Sequence, residues 1–107
     1  MSDKCWIKVA ALKDVEAAGG LLGVNVGGQP LALYAVDGEV YATADLCTHG
    51  QARLSDGYLD GHLIECPLHQ GLFDIRTGEP TSEPCTEPVR SFPAMQEDGA
   101  ILIEVDA

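Results

Sequence analysis

The chain has 107 residues, 46% of them hydrophobic, and seventeen acids against six bases leave a formal net charge of −11. That length suits one domain with a modest core and excludes a second active-site domain, while the apolar content excludes a disordered chain. The acidic excess disfavours nucleic acid and anionic membranes, which select for basic patches; it suits brief docking onto basic protein surfaces or simple solubility.

In chain order, Trp6 to Ala10 alternates as a strand, and Leu12 to Ala18 predicts a helical turn ended by Gly19-Gly20. Leu22 to Val26 and Leu31 to Val36 read as strands across a Gly27-Gly28 turn. Asp37-Gly38 is a hairpin signal, and the strand Glu39 to Thr43 follows it. Asp56-Gly57 and Asp60-Gly61 bracket Tyr58-Leu59, and His62 to Glu65 and Leu72 to Ile75 flank a further loop. A proline-bearing stretch, Pro80 to Pro88, precedes Ser91 to Gln96 and Ala100 to Val105, which should pair across Asp98-Gly99. Short strands, many glycine turns and almost no helix predict an all-β fold, an antiparallel sandwich or partial barrel. The longest apolar run, Leu31 to Val36, is too short to span a membrane, and MSDKCWIKV lacks an apolar core of signal-peptide length, so no export is expected.

The chemistry-bearing stretch runs from Cys47 to Asp74 and contains two pairs, Cys47-x-His49 and Cys66-x2-His69. A Cys and a His two or three residues apart can project from one loop tip. Pro67 would stiffen the second turn and Gly71 relieve it. Two thiolates and two imidazoles on paired loops meet the needs of a Rieske [2Fe–2S] centre, in which Cys hold one iron and His the other. They also satisfy a Cys2His2 zinc site, although zinc sites favour Cys–Cys pairs that are missing here.

The runs LCTHG, SDGYLDG and ECPLHQG resemble the Rieske ferredoxins of bacterial aromatic-ring-hydroxylating dioxygenase systems, and a weaker likeness extends over almost the whole chain. The resemblance implies a single Rieske domain over residues 1–107, with a cluster-binding subdomain at about 45–88 inserted into a base of antiparallel sheets. It implies one [2Fe–2S] cluster on Cys47, His49, Cys66 and His69, with no catalytic residue. The segment Ser82 to Pro88 falls where a third, proline-containing loop should cover the cluster. With two cysteines claimed by iron, Cys5 and Cys85 remain, and a reducing cytoplasm fits better than export.

Other residues are less decided by sequence. His62 reads as an exposed strand residue, Cys85 as a small packing residue, and Arg53 and Arg76 as carboxylate anchors or docking residues. Gln70 and Leu72 are expected near His69. Trp6, Tyr34, Tyr41 and Tyr58 are expected to pack in the core. High-potential Rieske proteins carry a disulfide between the ligand loops and a Ser and a Tyr hydroxyl after the second His. Gly71 and Phe73 stand at those hydroxyl positions and cannot donate side-chain hydrogen bonds, which predicts a low potential.

The implied function is a one-electron carrier between an NADH-dependent flavoprotein reductase and a terminal Rieske oxygenase. The mononuclear iron of such an oxygenase needs two His and a carboxylate, and only His62 is uncommitted. No dinucleotide fingerprint is present either. The alternatives are a Rieske-like small subunit of an assimilatory nitrite reductase and a zinc-bound interaction module.

Overall fold

The structure, a computed structural model, describes residues 4–47, 52–67, 70–82 and 87–106. Its strands are β1 (Lys4–Ala11), β2 (Leu21–Val26), β3 (Gln29–Val36), β4 (Glu39–Ala44), β5 (Tyr58–Asp60), β6 (Leu63–Glu65), β7 (Leu72–Asp74), β8 (Ser91–Phe92), β9 (Ala94–Glu97) and β10 (Ala100–Asp106). One short helix, α1 (Leu12–Ala17), and a 3-10 turn at Leu54–Asp56 complete the described elements. The strands form three antiparallel sheets, ordered β1-β10-β9, β2-β3-β4-β8 and β5-β6-β7.

The period-2 alternation of β3 divides the interior in two. Ala32 and Tyr34 face one core with Leu54, Ile64, Phe73, Ile75, Val89, Cys47 and Cys66. Leu31 and Leu33 face another with Val15, Val40, Ala42, Phe92, Ile101 and Ile103. The second sheet is therefore the middle layer, between the terminal strands on one face and the small β5-β6-β7 sheet on the other. This explains why Leu31 to Val36 is apolar without a break: a strand covered on both faces has no solvent side to make polar.

Two hairpins take the tight form their sequences predict. Asp37-Gly38 and Asp98-Gly99 have positive φ at both residues, 51° and 82° in the first and 51° and 78° in the second. The helix α1 buries Val15, and the left-handed Gly19 and Gly20 end it.

Several expectations need correction. The single strand expected over Ser91 to Gln96 breaks at Pro93: β8 pairs with β4 in the middle sheet, and β9 pairs with β10 in the first. Proline has no N–H for a ladder, so it stands where the chain leaves one sheet for another. Tyr34 is fully buried, but Trp6 is 42% exposed and Tyr58 is 78% exposed, so neither is a core residue. His62 lies in the β5–β6 turn, half-buried, with its ring edge-on to Tyr41 at 5.7 Å between centroids.

Candidate metal centre

The two candidate ligand loops share one construction. The N–H of Cys47 donates to the carbonyl of Ala52 at 2.9 Å, and the N–H of Cys66 donates to the carbonyl of Gly71 at 2.8 Å. Each bond spans five positions and closes a four-residue tip, 48–51 in the first loop and 67–70 in the second. The first stem continues outward through the Leu46–Arg53 bridge, and the second through the Glu65–Leu72 pair of β6 and β7. His49 and His69 belong to these tips by sequence and lie outside the described residues, as does Cys85.

Both thiols point inward. Cys47 is 5% exposed, Cys66 is fully buried, and they share one core cluster with Tyr34, Leu54, Ile64 and Phe73. Loops that arrive from different sheets thus deliver two soft sulfur donors to one apolar region. That arrangement fits a metal–sulfur group bound by thiolate, sheltered from water on the cysteine side. Among the described residues of the second loop, the left-handed one is Gln70 (φ 61°), which is exposed. Gly71, expected to relieve the turn, instead supplies the carbonyl that closes it.

The second loop is braced from outside. Thr81 donates its N–H to the carbonyl of Leu72 at 2.8 Å, and Leu72 donates its N–H to Ser82 Oγ at 3.1 Å. Phe73 bridges to Pro80, and Val89, itself buried, donates to the carbonyl of Gly78 at 2.9 Å. The start of the expected third loop is therefore fastened to β7, and Val89, just past its end, is fastened to the turn that follows β7, while 83–86 lie outside the described residues.

Both flanking arginines anchor carboxylates. Arg76 makes a two-pronged contact with Asp74, Nε to Oδ1 at 3.0 Å and Nη2 to Oδ2 at 2.9 Å. Hydrogen bonding from Arg76 holds the Asp74 carboxyl below its ordinary range, against a smaller opposing effect of burial. Arg53 approaches Asp45 at 3.4 Å. Deeper in the core, Tyr34 and Thr43 Oγ1 lie 2.8 Å apart, and burial pushes the Tyr34 phenol well up. Asp45, Ser55 and Thr43 were not singled out by sequence. The one signal for Asp45 is an acid directly after an apolar strand and two positions before a candidate ligand.

A family model described as the Rieske [2Fe–2S] domain matches residues 5–93. The chain belongs to the Rieske family. Its cofactor is accordingly the [2Fe–2S] cluster, and the zinc alternative falls away. This Rieske chain is 51% identical to the ferredoxin component of a naphthalene 1,2-dioxygenase system from Pseudomonas putida, over 94% of this chain and 95% of that one. It superimposes on a chain of the structure "Complex of reduced oxygenase and oxidized ferredoxin in carbazole 1,9a-dioxygenase" with TM-score 0.83 and 47% identity, covering 92% of this chain and 91% of that one. A Sphingomonas yanoikuyae B1 ferredoxin gives TM-score 0.84 at 41% identity, covering 94% and 99%.

Proposed function

We propose that this Rieske protein is a one-electron carrier of an aromatic-ring dioxygenase system, not itself an enzyme. Its electrons come from an NADH-dependent flavoprotein reductase and go to a terminal Rieske oxygenase in the cytoplasm. The observation that carries the reading is the pair of matched loops that bury Cys47 and Cys66 in one core cluster. Near-full-length similarity to dioxygenase ferredoxins, and to a ferredoxin found in complex with its oxygenase, supports it. In this reading Cys47 and Cys66 hold one iron and His49 and His69 the other, and residues 45–88 act as the cluster-binding unit. The cluster, when bound, supplies the one-electron chemistry; the chain's own residues position it, exclude water and present it to partners. Among the described residues, no helix is long and apolar enough to cross a membrane.

Docking at the loop end is favoured by exposed apolar groups beside both ligand pairs. Leu46, 49% exposed, precedes Cys47, and Tyr58 is the cross-strand partner of Glu65, which precedes Cys66. The −11 charge attracts a basic partner to the protein as a whole, over a range of about 10 Å at 0.1 M salt.

The test uses purified, loaded protein with an oxygenase of this class. The wild type should contain two irons and two acid-labile sulfides, show a Rieske-type paramagnetic resonance signal when reduced, and pass electrons more slowly as salt rises. His69→Ala should lose that signal. Its full retention would reject the ligand set, and a loaded protein that reduces no oxygenase would reject the carrier role.

A further inference from the structure

The stem of the first ligand loop is built on a buried acid. Asp45 is 1% exposed. Its Oδ1 accepts the Ser55 N–H at 2.8 Å, its Oδ2 accepts the Ser55 hydroxyl at 2.9 Å, and Arg53 Nη1 lies 3.4 Å from Oδ2. The backbone of the same residue donates to the Pro30 carbonyl at 3.1 Å and accepts the Leu54 N–H at 2.7 Å. One residue thus joins the end of β4, the start of β3 and the turn that follows the ligand loop. The Leu46–Arg53 bridge and the Cys47–Ala52 bond come next along the same stem. Neighbouring β2 leaves space for this clasp: a Cβ on Gly23 would stand 2.6 Å from Ser55 Oγ and 3.3 Å from Asp45 Oδ2.

A clasp of this geometry does not require a charge. The amide oxygen of an asparagine would accept the Ser55 N–H, and its nitrogen could donate to the hydroxyl oxygen. A buried carboxylate costs more desolvation than that amide. Among the described residues, the donors to this carboxylate are one peptide N–H, one hydroxyl and one guanidinium. The Arg53 side chain is 53% exposed, so water screens much of its charge. A negative charge only partly balanced therefore stands two residues from Cys47, where it opposes the arrival of an electron.

We propose that Asp45 is the positioning residue of the first ligand loop, and that its carboxylate, incompletely balanced by Arg53, holds down the reduction potential of the centre. The inference rests on the reading of Cys47 as a ligand. It predicts opposite electrostatic effects from the two partners in one ion pair, a pattern that loosening the loop would not produce.

The experiment is equilibrium redox titration of the loaded protein, with iron and sulfide analysis and paramagnetic resonance on each variant. Asp45→Asn keeps both Ser55 contacts, gives up the contact with Arg53 and removes the charge. It should favour the reduced form about tenfold, a rise of about 59 mV. Arg53→Gln should move the equilibrium the other way by a smaller factor, because the lost guanidinium is half exposed. Both should keep the wild-type resonance signal. Ser55→Ala and Gly23→Ala disturb the clasp without changing charge; they should lower cluster retention on warming and leave the reduction equilibrium constant within about twofold of wild type. A shift below about twofold in Asp45→Asn, or shifts of one sign in Asp45→Asn and Arg53→Gln, would overturn the proposal. If Asp45→Asn fails to load, Arg53→Gln decides: a lowered potential supports the proposal, and an unchanged or raised one rejects it. A wild type without a Rieske signal overturns the ligand reading as well, whereas a normal wild type with unmoved variants overturns this inference alone.

Discussion

The Tyr34–Thr43 pair lies in the middle sheet, on the face that holds the candidate ligands, and its polarity gives an ordered prediction. Thr43 Oγ1 donates to the Ala44 carbonyl at 3.0 Å, so at the 2.8 Å contact the Tyr34 hydroxyl is the donor. Both residues are fully buried. Tyr34→Phe removes a donor whose acceptor still has its own bond to Ala44, and should cost about 1 kcal/mol. Thr43→Val is nearly the same size but strands the Tyr34 hydroxyl in an apolar core and deletes the bond to Ala44. It should cost about 2–3 kcal/mol. The double variant leaves no stranded hydroxyl and should be less destabilised than Thr43→Val alone. For a domain of this size, about 1 kcal/mol corresponds to roughly 4–8 °C in thermal midpoint. The assay is thermal unfolding of the four loaded proteins at one scan rate. Alkali adds a second readout. Burial pushes the Tyr34 phenol up, so between its unfolded and folded pKa values the unfolded chain binds fewer protons. Its stabilising contribution is complete below about pH 10 and is lost as pH rises beyond it. The gap between wild type and Tyr34→Phe should therefore shrink in alkali. Tyr34→Phe costing as much as Thr43→Val, or a gap constant above pH 10, would refute the assigned polarity and the role of burial.

Phe73 shares the core cluster of Cys47 and Cys66; a Phe73→Tyr hydroxyl that donates to a cysteine sulfur should raise the midpoint, from near −150 mV, by about 50 mV in voltammetry. At Gly57 an added Cβ would overlap the Glu65 carbonyl, directly before Cys66, so Gly57→Ala should cost about 1–3 kcal/mol and lower the iron content per chain. Arg76→Ala should let the Asp74 carboxyl rise toward its ordinary range in an NMR titration, and the stability that wild type loses as acid protonates this carboxyl should be largely missing from the variant.

Local chemistry was the legible part of the fold. Asp37-Gly38 and Asp98-Gly99 announce their hairpins because positive φ at both central positions has few solutions in sequence. Gly19-Gly20 marks the end of α1 for the same reason. The division of Ser91 to Gln96 between two sheets was hidden, because Pro93 alone does not reveal which sheet each half joins. The exposure of Tyr58 was hidden too: strand composition states that a side chain packs on a sheet, but not whether a second layer covers that face. Of the candidate site, the donors stood in the sequence as pairs. Their supports did not, because Asp45 and Ser55 meet only when the loop closes, and Gly23 contributes by the absence of a side chain.

The matched stems and unmatched histidine offsets together say how an electron would leave. Each cysteine sits at the hydrogen-bonded base of its tip and is buried among residues of two sheets. Each histidine comes within the tip, two positions after Cys47 and three after Cys66. In the proposed ligation, Cys47 and Cys66 would hold their iron beside the core, and His49 and His69, later in each tip by sequence, would hold the other. Neutral imidazole donates less charge than thiolate, so the iron held by His49 and His69 would be the more readily reduced of the two. The exposed apolar groups Leu46, Pro67 and Tyr58 gather at the same end. Contact there shortens the path to a partner without opening the cysteine side to water. In the proposed carrier role, the buried cysteines would keep the base of the cluster dry while the exposed groups beside the loops would offer the contact through which an electron passes.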